Sequence, residues 1–344
     1  MRIFTTEQVS KYHPDKYADQ ISDAVLAECL RQDKNAHVAC ECLCKDKTVV
    51  IAGEITTTAV IDYEAIIRRV AKKLNYEVEK IINLISKQSP EINGAVSKEE
   101  LCAGDQGIMF GYAYNDTYSY LPIGFDLANH IIHRLEKDTE QNAHTILKGD
   151  AKTQVSVDLD TDEVKTILVS VCHKEGLTLE EVKKYVKDLL AELVEDGVEL
   201  IINPAGTWTI GGPIADCGLT GRKIVCDQYG GYCAVGGGAF SGKDPSKVDR
   251  SATYMARKIA VDLVKKFDLK TCEVQLSYMI GRKDPMSVEF EYTLKNQEYS
   301  ILPELQKDIL AVYDLSPNGI IKALDLLNAD YENFAEGNHM EKIK

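Results

Sequence analysis

The chain has 344 residues, 44% of them hydrophobic and 27% charged, a size and composition that predict a folded core divided into two or three domains. Its formal net charge of −14 disfavours nonspecific binding to nucleic acid, although a local basic cluster can still hold a small phosphorylated ligand. The sequence has no run of 18 apolar residues and no apolar signal-peptide core near its start, so we expect no membrane span and a cytoplasmic location.

One order of predicted elements occurs three times along the chain: a helix, two strand-like runs joined by a short turn, and a second helix. The first helices are predicted at 15–31, 125–137 and 249–267, the strand pairs at 37–44 with 48–57, 153–160 with 164–173 and 272–281 with 286–294, and the second helices at 63–74, 179–194 and from 305 to 312 or beyond. Apolar and polar residues alternate in the strand runs, which is typical of antiparallel hairpins with one buried face. The repeat predicts an α+β fold with three domains and pseudo-threefold internal symmetry, in which helices cover mixed or antiparallel sheets.

The boundaries between the repeats are less regular than the repeats themselves. We expect discontinuous domains with approximate units at 1–110, 111–230 and 231–344. Residues 86–104 form a long polar stretch without clear periodicity, and loops of this kind are often mobile lids. The C-terminal residues 336–344 are predicted to fray.

Several polar residues lie where the predicted elements begin or end. His13 precedes Pro14 and Asp15, an order that suits the first turn of a helix, where an acidic residue interacts favourably with the helix dipole. The others, in chain order, are Glu41, Glu54, Asp105, Asp150 and Lys152. Each of these residues taken alone is a weak signal, because a charged residue at a turn is usually part of the turn.

The stretch GGGAFSGKD at 236–244 nearly matches the phosphate-binding P-loop pattern G-x-x-x-x-G-K-[ST]. Asp244 stands where that pattern needs a Ser or Thr hydroxyl for Mg²⁺, and Pro245 disfavours a helical conformation of Asp244. We therefore expect the next helix to begin later, with Ser246 and Asp249 as its capping box. The sequence disfavours a P-loop, but the glycines and the lysine still indicate anion binding.

Charged residues are dense around this stretch and are interspersed with glycines. They are Asp216, Arg222, Lys223, Lys243, Lys247, Asp249 and Arg250. Glycines let the backbone approach a ligand closely, while Arg and Lys bind phosphate oxygens and Asp binds Mg²⁺. The combination predicts a site for a magnesium polyphosphate. A triphosphatase or kinase that uses the glycine loop alone is one interpretation of it.

Longer motifs give the chain a resemblance to a known family. They are FTTEQVS, HPDK, ADQISDAVL, GEI, SPEIN, GDQGIMFGYA, DAKTQV, IGGP, DCGLTGRKI, YGG and GGGAFSGKDPSKVDRSA, which together run over nearly the whole sequence. They resemble the S-adenosylmethionine synthetases, or methionine adenosyltransferases, a family with three α+β domains related by pseudo-threefold symmetry. The resemblance implies that ATP, L-methionine and water become S-adenosylmethionine, pyrophosphate and phosphate. Sulfur attacks C5′ of ATP, the triphosphate leaves, and it is hydrolysed before release.

The resemblance also implies a role for each matching residue. Catalysis would involve His13, Lys152, Arg222 and Lys243, with His13 near the oxygen at C5′ and the phosphate chain. Asp15 and Asp249 would bind Mg²⁺, with two ions expected per site, and Glu41 would be linked to K⁺. ATP or methionine would contact Glu54, Asp105, Asp150, Lys152, Trp208, Asp216, Arg222, Lys223, Ala239, Lys243 and Lys247. Because the family's site lies between two subunits, we expect a homodimer or a dimer of dimers, with no nucleic-acid or membrane partner.

Four positions differ from the usual pattern of the family. Tyr12 stands where Gly is usual before HPDK, and Val235 stands where His is common before GGGAF. Gly94 replaces a Gln that contacts methionine, and Thr207 replaces an Arg near the adenine, although Trp208 can still stack on a base. These differences motivate an alternative, a non-catalytic ATP-binding paralogue or regulatory subunit. The presence of the phosphate- and metal-binding residues argues against it.

Overall fold

Three β-sheets with helices packed against them make up the part of the chain that the structure, a computed structural model, describes: residues 2–87, 101–294 and 311–343. Each sheet contains one of the predicted antiparallel hairpins and packs against a long helix that precedes that hairpin in the chain. The predicted α+β fold with three repeated units is therefore confirmed. No helix in the described ranges is both long and apolar enough to cross a membrane.

The first sheet has the strand order β4-β3-β2-β9. Its elements in chain order are α1 (Pro14–Gln32), β2 (His37–Lys45), β3 (Thr48–Thr56), α2 (Tyr63–Lys73), β4 (Lys80–Ser86) and β9 (Gly218–Leu219). Strand β4 is parallel to β3, and the other neighbours are antiparallel. Cys40, Cys42 and Cys44 are buried on the face of β2 that packs against α1, as the alternation predicts, and all three are free thiols.

The second sheet has the strand order β1-β6-β7-β8. Its elements are β1 (Ile3–Val9), α3 (Ile123–Gln141), β6 (Leu147–Asp158), β7 (Glu163–His173), α4 (Leu179–Leu190) and β8 (Glu199–Ile202). Helix α4 begins with a capping box formed by Thr178 and Glu181. It ends four residues before the predicted end at 194.

The third sheet has the strand order β11-β10-β5. Its elements are β5 (Gly107–Tyr114), α7 (Val248–Phe267), β10 (Leu269–Tyr278) and β11 (Ser287–Leu294). The shorter helices are α5 (Gly212–Ala215), α6 (Ile224–Asp227), α8 (Pro317–Ala323), α9 (Tyr331–Ala335) and a 3₁₀ turn at Met340–Lys342. The helix predicted from 305 lies outside the described residues except for positions 311 and 312, which form a turn. Most of the predicted lid, 88–100, including Gly94, also lies outside them.

One edge strand of each sheet comes from a distant part of the chain. Strand β9 pairs with β2, β1 with β6, and β5 with β10, in each case antiparallel to the first strand of the hairpin. The three units are therefore interlocked. The boundaries 1–110, 111–230 and 231–344 stay a prediction.

The predicted capping box of helix α7 is wrong. The N-cap is Lys247, and no side chain caps the helix. Oδ1 of Asp244 instead accepts the backbone N–H of Ser246 at 2.9 Å, which fixes a turn before the helix and moves its start past Ser246.

The expected fraying of the C-terminal tail is also wrong for its described part, 336–343. Asn338, His339 and Met340 are buried. The side-chain amide of Asn338 donates hydrogen bonds to the carbonyls of Cys226 and Gln228 at 2.9 and 2.6 Å. These bonds satisfy two buried carbonyls, so the tail is part of the core around α7.

Candidate active site

The glycine-rich segment 236–244 ends beside strand β2. The carbonyl of Gly242 accepts from the N–H of Cys40 at 3.0 Å, and Oδ2 of Asp244 accepts from the N–H of Val38 at 2.7 Å. Burial by itself raises the pKa of Asp244, but Lys247 at 2.5 Å and the backbone donors outweigh burial and hold that pKa below its usual range. Asp244 thus fixes the segment to the sheet. It does not replace the hydroxyl of a P-loop.

The first turn of α1 presents His13 as the N-cap. Its Nδ1 accepts the backbone N–H of Asp15 at 3.1 Å, and its side chain is 2% exposed. Burial, followed by the charges of Lys223 and Lys152, lowers the pKa of His13 to about 3. The imidazole is therefore neutral at pH 7, and because Nδ1 is an acceptor, the proton lies on Nε2.

Asp15 joins the start of α1 to the segment 217–223. Its Oδ1 accepts the N–H of Leu219 at 2.9 Å, and its Oδ2 lies 2.5 Å from Nζ of Lys223. Nε of Arg222 is 3.7 Å from Oδ1. Burial raises the pKa of Asp15, but Lys223 and the N–H of Leu219 outweigh it, so the pKa is lowered overall. A predicted metal ligand and two predicted phosphate-binding cations therefore lie together.

A second carboxylate–lysine pair joins the neighbouring loop to the first turn of helix α7. Nζ of Lys243 is 2.6 Å from Oδ2 of Asp249, and both side chains are about four-fifths buried, with 22% and 18% exposed. A Cβ atom on Gly221 would lie 2.5 Å from Cβ of Ala239, so the segments 217–223 and 236–243 touch at this point. The lysines of the two pairs thus belong to adjoining loops, and each carboxylate lies in the first turn of a long helix.

Glu41 lies on the outer face of β2, within electrostatic range of Lys243 and Glu54. Its side chain is exposed in the single chain, but neighbouring protein atoms partly desolvate the carboxylate. This desolvation raises the pKa of Glu41, Lys243 opposes the rise, and Glu54 adds to it. A cation placed here would stabilise the charged form of Glu41.

Asp150 lies near the start of β6 and is 5% exposed. Its Oδ2 accepts the N–H of Gly212 at 2.7 Å, and its Oδ1 is buried with no hydrogen-bond partner among the described residues. Lys152 and Asp216 both lie within electrostatic range. An N–H donor of a ligand can therefore satisfy Oδ1.

Tyr12, which replaces the usual Gly of the family, packs under this part of the site. Its ring lies against Gly149, where a Cβ would be 2.5 Å from the ring, and Gly149 precedes Asp150. The hydroxyl of Tyr76 donates to the carbonyl of Tyr12, directly before His13. Tyr12 therefore packs beside both His13, which follows it in the chain, and Asp150, which follows Gly149.

Three other predicted residues make their side-chain contacts outside this cluster, as far as the described residues show. Trp208 is half-buried. Its backbone N–H donates to Nε2 of His173 at 3.1 Å, and its side-chain Nε1–H donates to the carbonyl of Ile210. Asp105 is exposed, and its Oδ1 accepts from the neighbouring backbone N–H of Gln106. Lys247 pairs with Asp244, which turns it toward the base of the loop.

A buried network of charges lies behind the loops and consists of Lys16, Asp19, Asp23, Asp227 and Arg250. Of these, the sequence pattern indicated only Arg250, as part of the predicted polyphosphate site, but its side chain is 0% exposed and pairs with Asp23 instead. Both terminal nitrogens of Arg250 bind Asp23 at 2.7 Å, and Lys16 lies 2.6 Å from Asp227 and 3.2 Å from Asp19. The spacing of the aspartates along α1 was the available signal.

Asp150 makes the free energy of unfolding depend on pH. Burial raises the pKa of Asp150 from 3.8 to about 6. The folded protein then binds the proton more tightly than the unfolded chain does, so this stabilisation is complete below pH 3.8 and is lost as the pH rises through about 6. We expect Asp150→Asn to raise the free energy of unfolding by about 2 kcal/mol near pH 7 and to leave it unchanged near pH 4.

Urea denaturation of the ligand-free protein at both pH values measures this effect. The exposed Glu175→Gln is the matched control and should change neither value. An equal effect of Asp150→Asn at both pH values would contradict the prediction.

The fold and these contacts define an α+β protein of three interlocked units with a cation-rich site where its loops meet. Family models for the N-terminal, central and C-terminal domains of S-adenosylmethionine synthetase match residues 1–98, 100–208 and 210–344. The chain belongs to the S-adenosylmethionine synthetase family.

Curated relatives match the chain over nearly its whole length. It is 41% identical over 361 residues to the S-adenosylmethionine synthase of Mycoplasma capricolum subsp. capricolum, covering 99% of this chain and 93% of the relative. It is 42% identical over 349 residues to the S-adenosylmethionine synthase of Helicobacter pylori strain J99, covering 96% and 90%. The enzyme of Mesoplasma florum with the same name is 41% identical over 362 residues, covering 99% and 95%.

Proposed function

We propose that the protein is an S-adenosylmethionine synthase, a transferase that converts ATP, L-methionine and water to S-adenosylmethionine, pyrophosphate and phosphate. Full-length similarity to proteins of that name supports this reading over a non-catalytic ATP-binding paralogue. One structural observation carries the proposal. Each of the two predicted metal ligands, Asp15 and Asp249, pairs with a lysine that is predicted to bind ATP.

These pairs are suited to exchange partners when a magnesium polyphosphate binds. Lys223 and Lys243 can move to phosphate oxygens while Asp15 and Asp249 turn to the metal, so no charge is left unpaired. The loops that carry the two lysines touch at Gly221 and Ala239, which is consistent with one ligand that spans both.

The carboxylates fit the way in which proteins hold Mg²⁺ at phosphate sites. The described residues contain no group of three or more His, Cys, Asp or Glu side chains that could hold a metal ion unaided. Mg²⁺ is commonly bound by one or two carboxylates together with substrate phosphates, a role that Asp15 and Asp249 can fill. Bound Mg²⁺ would neutralise charge on the phosphates, and K⁺ held near Glu41 would favour the charged form of that carboxylate.

The residues of this chain then account for the first chemical step. A thioether sulfur carries no proton, so its attack on C5′ needs no general base. The difficulty is the triphosphate leaving group, which gains negative charge as the C–O bond breaks. Lys152, Arg222 and Lys243 would stabilise that charge, and neutral His13 would donate its Nε2–H to the leaving oxygen. Alignment of the reacting atoms supplies further acceleration.

The remaining predicted contacts stay proposals, because the described side-chain contacts do not join them to this cluster. Glu54, Asp105, Asp216 and Lys247 would contact methionine or ATP, and Trp208 would stack on the adenine. Leu43 lies on the same outer face of β2 as Glu41, and Ile108 on β5 is also exposed. We propose a homodimer or a dimer of dimers in which a second copy of the chain covers these residues and the site lies at the interface. We propose a cytoplasmic location, without nucleic-acid or membrane partners.

Release of pyrophosphate and phosphate tests the proposal. We expect one of each per ATP consumed, with full rates only when methionine, Mg²⁺ and K⁺ are all present. Binding of ATP without methionine-dependent turnover would favour the non-catalytic paralogue.

We expect Asp15→Asn to lower S-adenosylmethionine formation at least about 100-fold and to abolish its activation by Mg²⁺. The amide retains an oxygen that can accept the N–H of Leu219, so the fold should survive. Initial rates over a Mg²⁺ titration and far-UV circular dichroism measure the two effects.

Asp33→Asn, at the opposite end of α1, is the control and should keep normal activation by Mg²⁺. Loss of helical signal in Asp15→Asn would show instead that Asp15 acts mainly in building the helix. Normal Mg²⁺ activation in that variant would also refute its assigned role.

A further inference from the structure

Helix α1 carries three aspartates at a spacing of four residues, Asp15, Asp19 and Asp23, which we name the aspartate ladder. This spacing places them on one face of the helix. They are buried, with 1%, 0% and 0% exposed. Buried carboxylates are costly unless they are hydrogen-bonded, so their partners indicate what they hold in place.

Each member of the ladder accepts one backbone N–H from a loop of the candidate site. The pairs are Asp15 with Leu219 at 2.9 Å, Asp19 with Gly221 at 2.8 Å, and Asp23 with Gly242 at 2.8 Å. The loops 217–223 and 236–243 carry Arg222, Lys223 and Lys243. One helix face therefore fixes the backbone of both loops that supply the cations.

Strand β2 holds the same loops from the other side. Its Cys42 carbonyl accepts the N–H of Thr220 at 3.0 Å, and the Gly242 carbonyl accepts the N–H of Cys40 at 3.0 Å. The fit allows no side chain at two loop positions: a Cβ on Gly218 would lie 2.0 Å from the carbonyl oxygen of Pro14, and one on Gly242 would lie 1.9 Å from that of Cys40. The loops are thus clamped between α1 and β2.

The middle member of the ladder differs from its neighbours. Asp15 pairs with Lys223, and Asp23 with Arg250. Asp19 lies 3.2 Å from Lys16, which is closer to Asp227. Because Asp19 is fully buried behind the loop, it acts on a ligand only through the position of Gly221 and the two residues that follow.

We propose that Asp19 is a positioning residue: its hydrogen bond to Gly221 sets where Arg222 and Lys223 meet the phosphates. The inference rests on the proposed function, because it assumes that these cations bind a polyphosphate. A fully buried carboxylate with a purely structural role would affect only stability. Here we expect Asp19 to affect ligand affinity as well.

The test compares Asp19→Ala, which removes the acceptor, with Asp19→Asn, which keeps an acceptor oxygen. We expect Asp19→Ala to weaken binding of inorganic tripolyphosphate in Mg²⁺ about 10-fold and to raise the KM for ATP by a similar factor, as loss of one hydrogen bond implies. Asp19→Asn should stay within about twofold of the wild type in both. Isothermal titration calorimetry and steady-state kinetics supply the values.

Asp227→Ala is the matched control, because it removes the other carboxylate of Lys16 from the same buried network. It should lower the Tm as Asp19→Ala does, yet leave tripolyphosphate binding unchanged. Unchanged binding in Asp19→Ala, or equal weakening in both alanine variants, would overturn the inference. Failure of the proposed function looks different: the wild type makes no S-adenosylmethionine, while the binding differences persist.

Hydrogen exchange on the wild type tests the ladder without any variant, in case Asp19→Ala does not fold. The amides of Leu219, Gly221 and Gly242 should exchange as slowly as those within α1, although Gly221 and Gly242 lie in loops and Leu219 in a strand of only two residues. Exchange as fast as that of the exposed Gly176 would overturn the inference.

Discussion

Replacing Lys243 by alanine should lower the turnover number for S-adenosylmethionine formation by about 100- to 1,000-fold, equivalent to about 3 to 4 kcal/mol. Nζ of Lys243 lies 2.6 Å from Asp249, and the lysine is at the end of the glycine-rich loop. The triphosphate gains negative charge as it leaves. A fixed cation therefore stabilises the transition state more than it stabilises the bound ATP of the ground state. We therefore expect kcat to fall more than KM rises, as initial rates over an ATP series would show.

Lys258→Ala is the matched control for that loss. Lys258 lies on α7, as Asp249 does, and forms a similar pair with Asp262 at 2.5 Å, but outside the candidate site. Its removal should leave turnover close to that of the wild type. Near-normal turnover of Lys243→Ala would show that Lys243 has no catalytic role.

Single substitutions in the buried pair of Asp23 and Arg250 should lower the free energy of unfolding more than substitutions elsewhere. Both side chains are 0% exposed, and two hydrogen bonds of 2.7 Å join them. Either Asp23→Asn or Arg250→Met leaves one charge without its partner inside the protein. We expect each to lower the free energy of unfolding by about 3 to 5 kcal/mol, measured by urea denaturation.

The double variant distinguishes a buried pair from two independent residues. Asp23→Asn combined with Arg250→Met removes both charges, so its loss should be well below the sum of the single losses. Glu28→Gln with Arg31→Met is the control cycle, because that pair has two similar hydrogen bonds but is solvent-exposed. It should show little coupling. Additive losses at Asp23 and Arg250 would contradict the account.

The hairpins and long helices could be predicted because their signals are local. The alternation in β2 places Cys40, Cys42 and Cys44 inside and Glu41 outside, and the 3.6-residue period of α7 is readable within one segment. The exchange of edge strands could not be predicted. Strand β9 has two residues, too few for any periodicity, and β1 pairs with a strand that begins at Leu147. Such pairing depends on the assembled core.

The candidate site shows the same division between local and distant information. Asp15 and His13 could be singled out from HPDK, and the cations from the glycine-rich region. The ladder spacing in DKYADQISD was also readable, because acidic residues four apart share one face of a helix. Its partners were not, since Leu219, Gly221 and Gly242 lie more than 200 residues away in the chain. The pairing of Lys247 with Asp244 could not be predicted either, although the two residues are only three apart, because it depends on how the loop folds against Val38.

Mass spectrometry of one complete reaction decides whether this protein makes S-adenosylmethionine. The purified protein is incubated with ATP, L-methionine, Mg²⁺ and K⁺, and all products are identified. We expect S-adenosylmethionine with equal amounts of pyrophosphate and phosphate. ATP that is bound or hydrolysed without any sulfonium product would contradict it, and would make the protein a non-catalytic paralogue or a phosphatase on this fold.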